Sequence, residues 1–339
     1  MTASGDGTGI PVGVYRGPGC GIEAIEAYES WLGLPAGSTV AYVLDFMVDR
    51  PADWAEFERG RLPAWTNAST PGTDVSVWQD QLGGRTLMLG VPACVLGSTW
   101  ETEQGANDAH WKALGTRLIE LGFGGAVLRI AREFNGSWYP WQVREGEQAA
   151  YIAGYSHVVE LLRGLPGARF TFMWNPHLGT GTLNRSGAES CYPGDSVVDV
   201  IGIDVYDGDW SGIYSQSFIR SLMRSYRRRE RQQRAVWDNI VKQWDGLDGW
   251  RNLAEDHGKP LAYPEWGLRL WLDDGVYHGG GDNPLFISQM AAWMKDTGAL
   301  MHAMWEDPGM GVSDPDDAPR RTIAVPQSRR AFLAAFGSR

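Results

Sequence analysis

The sequence predicts an α/β fold, a (β/α)8 TIM barrel forming a single domain over residues 1–339. Three observations predict it. Eight short apolar runs, rich in β-branched and aromatic residues, recur along the chain and are mostly separated by helix-like stretches. Alternation of strand and helix implies a parallel sheet, and eight such units point to a closed barrel rather than a doubly wound sheet. The length suits one such barrel, and no linker, low-complexity block or second domain interrupts it.

The elements follow in order. The first strand is read over residues 10–16 (IPVGVYR) and the first helix over 22–34. Strands come next at 39–48 (TVAYVLDFMV) and 86–94 (TLMLGVPAC). Residues 107–121 read as a helix, because Trp111, Leu114, Leu118 and Leu121 fall on one stripe. The fourth strand is 125–134 (GAVLRIAREF), followed by a helix at 148–165 and a strand at 169–176 (RFTFMWNP). Strand six is 198–207 (VDVIGIDVYD), strand seven 260–267 (PLAYPEWG) and strand eight 299–307 (ALMHAMWED). Helices at 283–297 and 327–336 complete the pattern. About fifty residues separate strands six and seven, and Arg220, Arg224, Arg227, Arg231 and Arg234 in that stretch share one helical stripe. That stripe is read as a solvated face, with recognition of an acidic polymer as the alternative.

Composition limits the ligands. Forty-one acidic against 30 basic residues give a formal charge of -11, which argues against phosphate-backbone binding. No apolar run reaches the length of a membrane span. Seventeen tryptophans, 12 tyrosines and 44 glycines lean toward a glycan ligand, since flat aromatic faces pack on sugar rings. Cys20, Cys94 and Cys191 are widely spaced and odd in number, so they signal neither a disulfide framework nor a zinc site. No metal-binding, dinucleotide, P-loop or serine-hydrolase motif occurs, so no cofactor and no metal are expected.

Barrel geometry directs the search to the C-terminal strand ends. Asp45, Glu133, Trp174, Asn175, Tyr206, Asp207, Glu265, Trp305 and Glu306 stand there. Glu133 and Glu265 each end an apolar strand and lie near tryptophans, where a charge is costly to bury without a partner or a purpose. Either could instead pair with Arg129, Arg132 or Arg269. Strands four and seven face each other across the mouth, so the two carboxyls can approach to roughly 5 Å, the spacing of a retaining glycosidase. Their proximity raises the pKa of one, which then serves as the acid. Trp138, Trp141, Trp174, Trp266 and Trp305 are candidate sugar platforms, and Asn135 either orients its loop or binds a hydroxyl.

Residues 132–141 (REFNGSWYPW) resemble the acid/base motif of glycoside hydrolase family 26, with Arg129, Glu133, Asn135, Gly136 and Trp138 matching. Residues 260–267 resemble that family's nucleophile strand, and 198–206 the strand whose tyrosine supports the nucleophile. The resemblance implies a retaining hydrolase of a β-linked polysaccharide, mannan leading, with Glu133 as acid/base, Glu265 as nucleophile and Tyr206 hydrogen-bonded to Glu265. It implies Trp305 as the floor under the cleaved sugar, an extracellular monomeric enzyme and no nucleic-acid or membrane partner. The first ten residues lack a secretory pattern. Mannan-cleaving members usually carry His immediately before the acid/base, whereas Arg132 stands here. Arg132 is therefore expected to touch a sugar hydroxyl or an anionic substituent, or to leave the barrel for a surface acid. The alternative functions are hydrolysis of a bacterial envelope or capsular glycan, or non-catalytic glycan binding.

Overall fold

A computed structural model describes residues 9–17, 20–43, 54–62, 73–208, 214, 216–217, 226–270, 272–273, 276–277, 279–306, 311–313 and 324–338. Eight parallel strands close into a barrel: β1 (Val12–Tyr15), β2 (Val40–Val43), β3 (Thr86–Val91), β4 (Val127–Ile130), β5 (Thr171–Trp174), β6 (Val200–Asp207), β7 (Leu261–Leu268) and β8 (His302–Trp305). Each pairs with its sequence neighbour, and β1 pairs with β8 through Val12↔His302 to Tyr15↔Trp305. The expected barrel is therefore present, and all eight strands fall inside the runs read from the sequence, except that β7 runs one residue further.

Among the described residues the helices are α1 (Ile22–Leu32), α2 (Trp54–Glu58), α3 (Asp108–Glu120), α4 (Gln148–Arg163), α5 (Tyr226–Lys242), α6 (Leu247–Asp256), α7 (Pro284–Asp296) and α8 (Pro326–Phe336). Between β5 and β6 only a single 3-10 turn, Ala188–Cys191, stands where a full helix would complete the alternation. Among the described residues the long β6–β7 connection holds two helices. Of the arginine stripe, Arg220 and Arg224 lie outside the described residues; Arg231 and Arg234 are exposed on α5, and Arg234 pairs with Glu230 at 2.9 Å. Asp45 also lies outside the described residues. Among the described residues no helix is long and apolar enough to cross a membrane.

Two cores separate by strand periodicity. Inside the barrel Val40, Met88, Val127, Met173, Val200, Ala262 and Ala303 pack on one another. Outward-facing neighbours such as Leu128, Ile201, Ile203 and Met304 pack under the helices. One polar node ties α1 to this frame. Glu29 is 1% exposed and accepts from Gly37 N, Thr39 N, Thr39 Oγ1 and both Arg85 Nε and Nη2, the last at 2.7 Å. Removing one partner of a buried pair leaves the other uncompensated. Glu29→Ala is expected to lower unfolding free energy by about 3 kcal/mol in urea titrations. A loss below about 0.5 kcal/mol, the level of an ordinary surface change, would contradict that role.

Candidate active site

The C-terminal end of β4 breaks the period-two rule. On a regular strand Arg129 and Ala131 would point inward and Arg132 outward. Ala131 (φ 51) and Glu133 (φ 51) both adopt the left-handed region, which is costly for residues bearing a Cβ and characteristic of functional sites. The two reversals turn the chain so that Arg132 and Glu133, adjacent in sequence, reach the same point. Glu133 N donates to Asn175 O at 2.6 Å, and Arg132 O accepts from Trp141 Nε1 at 2.7 Å.

A second irregularity places Glu265. The pairing of β6 with β7 shifts between Ala262 and Glu265, and that of β7 with β8 between Tyr263 and Trp266. Pro264 lies in the shift and has no N–H to give to a ladder. Ala262 faces the barrel interior, whereas Tyr263 faces α7 and accepts from Trp293 Nε1 at 2.6 Å. The bulge then resets the phase, so that Glu265 turns inward and Trp266 outward. Simple alternation puts Tyr263 and Glu265 on one face; the bulge separates them.

Glu133, Asp204 of β6 and Glu265 bring carboxylate oxygens within 4.8 Å of one another. All three are buried: Glu133 is 6%, Asp204 2% and Glu265 5% exposed. Arg129 lies beneath them, donating through Nη2 to Asp204 Oδ2 at 2.6 Å and to Glu265 Oε2 at 3.5 Å, and through Nε to Asn175 Oδ1. Asn175 Nδ2 donates to Asp204 Oδ1 at 3.2 Å. Arg132 Nη1 stands 3.3 Å from both Glu133 Oε2 and Glu265 Oε2, and its guanidinium lies 4.7 Å from the centre of the Tyr139 ring. Tyr206 Oη donates to Glu265 Oε1 at 2.7 Å, and Trp138 Nε1 donates to Glu133 Oε2 at 2.8 Å. Two guanidinium cations thus already supply counter-charge to the three carboxylates, the part a metal ion would otherwise play.

Electrostatics divides the glutamates. Burial, together with the charge of Glu265, pushes the Glu133 carboxyl up to about 7; Arg132 and the Trp138 hydrogen bond hold it from rising further. Glu265 instead accepts from a phenol and lies beside two guanidiniums. Burial also pushes the Tyr206 phenol well above its usual value, so it remains a donor. Burial pushes Asp204 upward as well, opposed by the Arg129 ion pair.

The aromatic candidates separate. Trp138 is 38% exposed beside Glu133, and its ring covers Gly136, where an added Cβ would sit 2.5 Å from the indole. Trp305 is partly exposed at the mouth and rests on Tyr15 with ring centres 4.0 Å apart. Trp174 and Trp266, read as sugar-binding, are corrected: both are 0% exposed. Trp174 points outward from β5, opposite in phase to Met173 and Asn175, and packs on Phe134, Tyr192 and Trp250. Trp266 packs between Phe286, Phe332 and Phe336 and donates to His302 Nδ1 at 3.1 Å. Trp141 is likewise buried, stacked on Tyr139.

Of the two readings of Asn135, loop orientation holds and the hydroxyl contact is corrected. Its Oδ1 accepts from His177 N at 2.9 Å, and its Nδ2 donates to His177 O and Gly179 O, so the wholly buried side chain fastens the β4 loop to the β5 loop. Gly181 (φ +57) passes so close that a Cβ would overlap Asn135 O. Arg132 is corrected in the same sense: it is 1% exposed and engaged with the two glutamates, neither at the surface nor open to substituents. Asp207 and Glu306 serve as loop anchors. Asp207 accepts from Tyr214 Oη and Asn283 Nδ2, and Glu306 from Val312 N and Ser313 Oγ. All three cysteines carry free thiols.

Asp204, Tyr139 and Tyr15 were not singled out as site residues from sequence, although alternation from Gly202 through Tyr206 puts Asp204 on the Tyr206 face. His177 was also missed. Its ring lies 4.9 Å from Trp138, and burial pushes its pKa down to about 4, leaving it neutral.

Residues 125–222 match the model of glycosyl hydrolase family 26. The chain is 34% identical over 111 residues to endoglucanase H of Acetivibrio thermocellus, covering 29% of this chain and 12% of that protein. It is 30% identical over 101 residues to a mannan endo-1,4-beta-mannosidase of Bifidobacterium adolescentis, covering 29% of this chain and 10% of that protein. It thus spans about a tenth of the length of these curated relatives. Among solved structures, a modular endo-beta-1,4-mannanase of Cellulomonas fimi superposes with a TM-score of 0.57 at 19% identity, over 96% of this chain and 70% of that one. A beta-mannanase of Bacteroides ovatus gives 0.56 at 16% identity, over 96% and 87%. Those two likenesses establish the barrel, and residues 125–222 carry the likeness to glycosyl hydrolase family 26.

Proposed function

We propose that this chain is a retaining, endo-acting glycoside hydrolase of a β-linked polysaccharide, with residues 1–339 forming one catalytic barrel. The observation that carries the reading is the pair of unequal carboxyl groups. Glu133 and Glu265 approach within 4.8 Å, one pushed up to about 7 and the other surrounded by donors. In the first step Glu133 gives its proton to the glycosidic oxygen while Glu265 Oε attacks the anomeric carbon. The C–O bond to the leaving sugar breaks as the glycosyl–enzyme ester forms. In the second step ionised Glu133 takes a proton from water, whose oxygen displaces Glu265 and restores both groups. Separation near that of retaining enzymes, rather than the ~6.5–9.5 Å that admits a water, supports double displacement. Trp305 on Tyr15 is the floor of the cleaved-sugar subsite, and Trp138 flanks the leaving sugar.

Names of relatives and the β4 motif support a β-mannan or β-glucan as substrate, and an extracellular setting belongs to the same proposal. A binding-only barrel has no use for a carboxyl poised to exchange a proton near neutral pH. The test is a panel of soluble glucomannan, xylan and mixed-linkage β-glucan, with the anomeric form of fresh product read by NMR. The β-anomer is expected first; initial appearance of the α-anomer would refute double displacement.

A further inference from the structure

We infer that Arg132 is a positioning residue: it is the second fixed positive charge that lets Glu133 and Glu265 hold one proton between them with Glu265 ionised. The inference rests on the two-glutamate reading above. Among the described residues, three carboxyl groups, Glu133, Asp204 and Glu265, and two guanidiniums, Arg129 and Arg132, share one buried pocket. A pocket with little water favours zero net charge, because unbalanced charge is expensive there. Three negative and two positive charges balance when one carboxyl group is protonated. That is the resting state double displacement requires: acid protonated, nucleophile ionised.

Geometry divides the labour between the arginines. Arg129 is committed mainly to Asp204, at 2.6 Å, and reaches Glu265 only at 3.5 Å and Glu133 not at all within hydrogen-bonding range. Arg132 alone touches both reacting groups, at 3.3 Å each. It is held there from three sides: by the left-handed backbone at Ala131 and Glu133, by Trp141 on its carbonyl and by the Tyr139 ring against its guanidinium. Among the described residues, the charged or titratable groups facing the pair are Arg129 from β4, Asp204 and Tyr206 from β6, and Arg132 with Tyr139 from the β4 loop. With Arg132 neutralised, one cation faces three carboxyls, and neutrality demands a second proton. Glu265 is the group that must then compete for it, and a protonated Glu265 cannot attack.

The test compares wild type, Arg132→Met and Arg132→Lys by the pH profile of kcat/KM. Two probes are used: 2,4-dinitrophenyl β-mannobioside and 2,4-dinitrophenyl β-cellobioside, whose leaving group needs no proton, so the acid limb reports Glu265. In Arg132→Met the acid limb is expected to move up by at least about one pH unit, the effect of losing an opposite charge within 4–6 Å. At the old limb kcat/KM then falls by about tenfold or more, chiefly in kcat. Arg132→Lys keeps the charge and is expected to restore the limb toward wild type. Circular dichroism and urea midpoints verify folding, and if Arg132→Met does not fold, Arg132→Gln takes its place. An unmoved limb in the neutral variant, or a change in KM alone, overturns the inference and returns Arg132 to a packing role. Failure of the underlying reading looks different: wild type would leave both probes intact, or Glu265→Ala would still cleave them.

Discussion

Glu265→Ala removes turnover on every polysaccharide the wild-type protein cleaves, with kcat falling on the order of 10^5-fold, the scale seen when a covalent nucleophile is deleted. The expectation follows from placement. Glu265 is turned into the site by the β7 bulge and held by Tyr206 Oη at 2.7 Å and by Arg129 and Arg132. Among the described residues no other carboxylate can substitute. Asp204 is nearest, but its two oxygens are occupied by Arg129 and Asn175 below the sugar-facing level. Reducing-sugar release from the best polymer of the panel provides the measurement. Retention of even a tenth of wild-type activity in correctly folded Glu265→Ala would sink the mechanism, and with it the inference about Arg132.

The second large effect concerns Glu133 and depends on the leaving group. Glu133→Ala is expected to cost about 10^3–10^4-fold on polymer, where the departing sugar oxygen must be protonated, the upper part of the range for general acid catalysis. Formation of the glycosyl–enzyme from a 2,4-dinitrophenyl glycoside is expected to persist, since that leaving group departs as an anion. Added azide, needing no base, is expected to intercept the intermediate as a β-glycosyl azide. The pH dependence carries a definite sign. Glu133 acts in its protonated form, and burial next to Glu265 pushes it up to about 7. Wild-type kcat/KM on polymer is therefore retained below about pH 7 and lost tenfold per unit above it. The alkaline limb is expected to vanish for the dinitrophenyl substrate. Equal loss of Glu133→Ala on both substrate types would remove Glu133 from the role of acid.

Much of this is legible in the sequence. Strand-end position puts Glu133 and Glu265 among nine candidates at the rim, and their place on strands four and seven beside tryptophans singles them out. The Arg–x–x–x–Glu–Phe–Asn–Gly–x–Trp spacing from Arg129 to Trp138 carried the resemblance, and alternation from Gly202 to Tyr206 put Tyr206 on the inner face of β6. The same alternation, applied to β5, would have sent Trp174 outward once Met173 was taken as inward. Trp174 was instead read by proximity to the strand end, and that is why it was misplaced. The two readings of Asn135 stay open in the sequence, because a side chain next to an acid has no visible partner until the β5 loop is folded beside it.

Hydrophobic periodicity, which acts between near neighbours, determined the eight strands, most of the helices and the two glutamates at the barrel rim. The sign of φ at Ala131 and Glu133, the pairing shift around Pro264 and the capture of Arg132 between two carboxylates belong to the tertiary structure alone. Each depends on groups far apart in the chain: Asn175 against Glu133, β6 and β8 against β7, Glu265 against Arg132. A one-residue change of phase reverses which face a side chain takes. The side chains present at the rim are thus written in the chain, whereas which of them turn into the barrel mouth is decided by long-range packing.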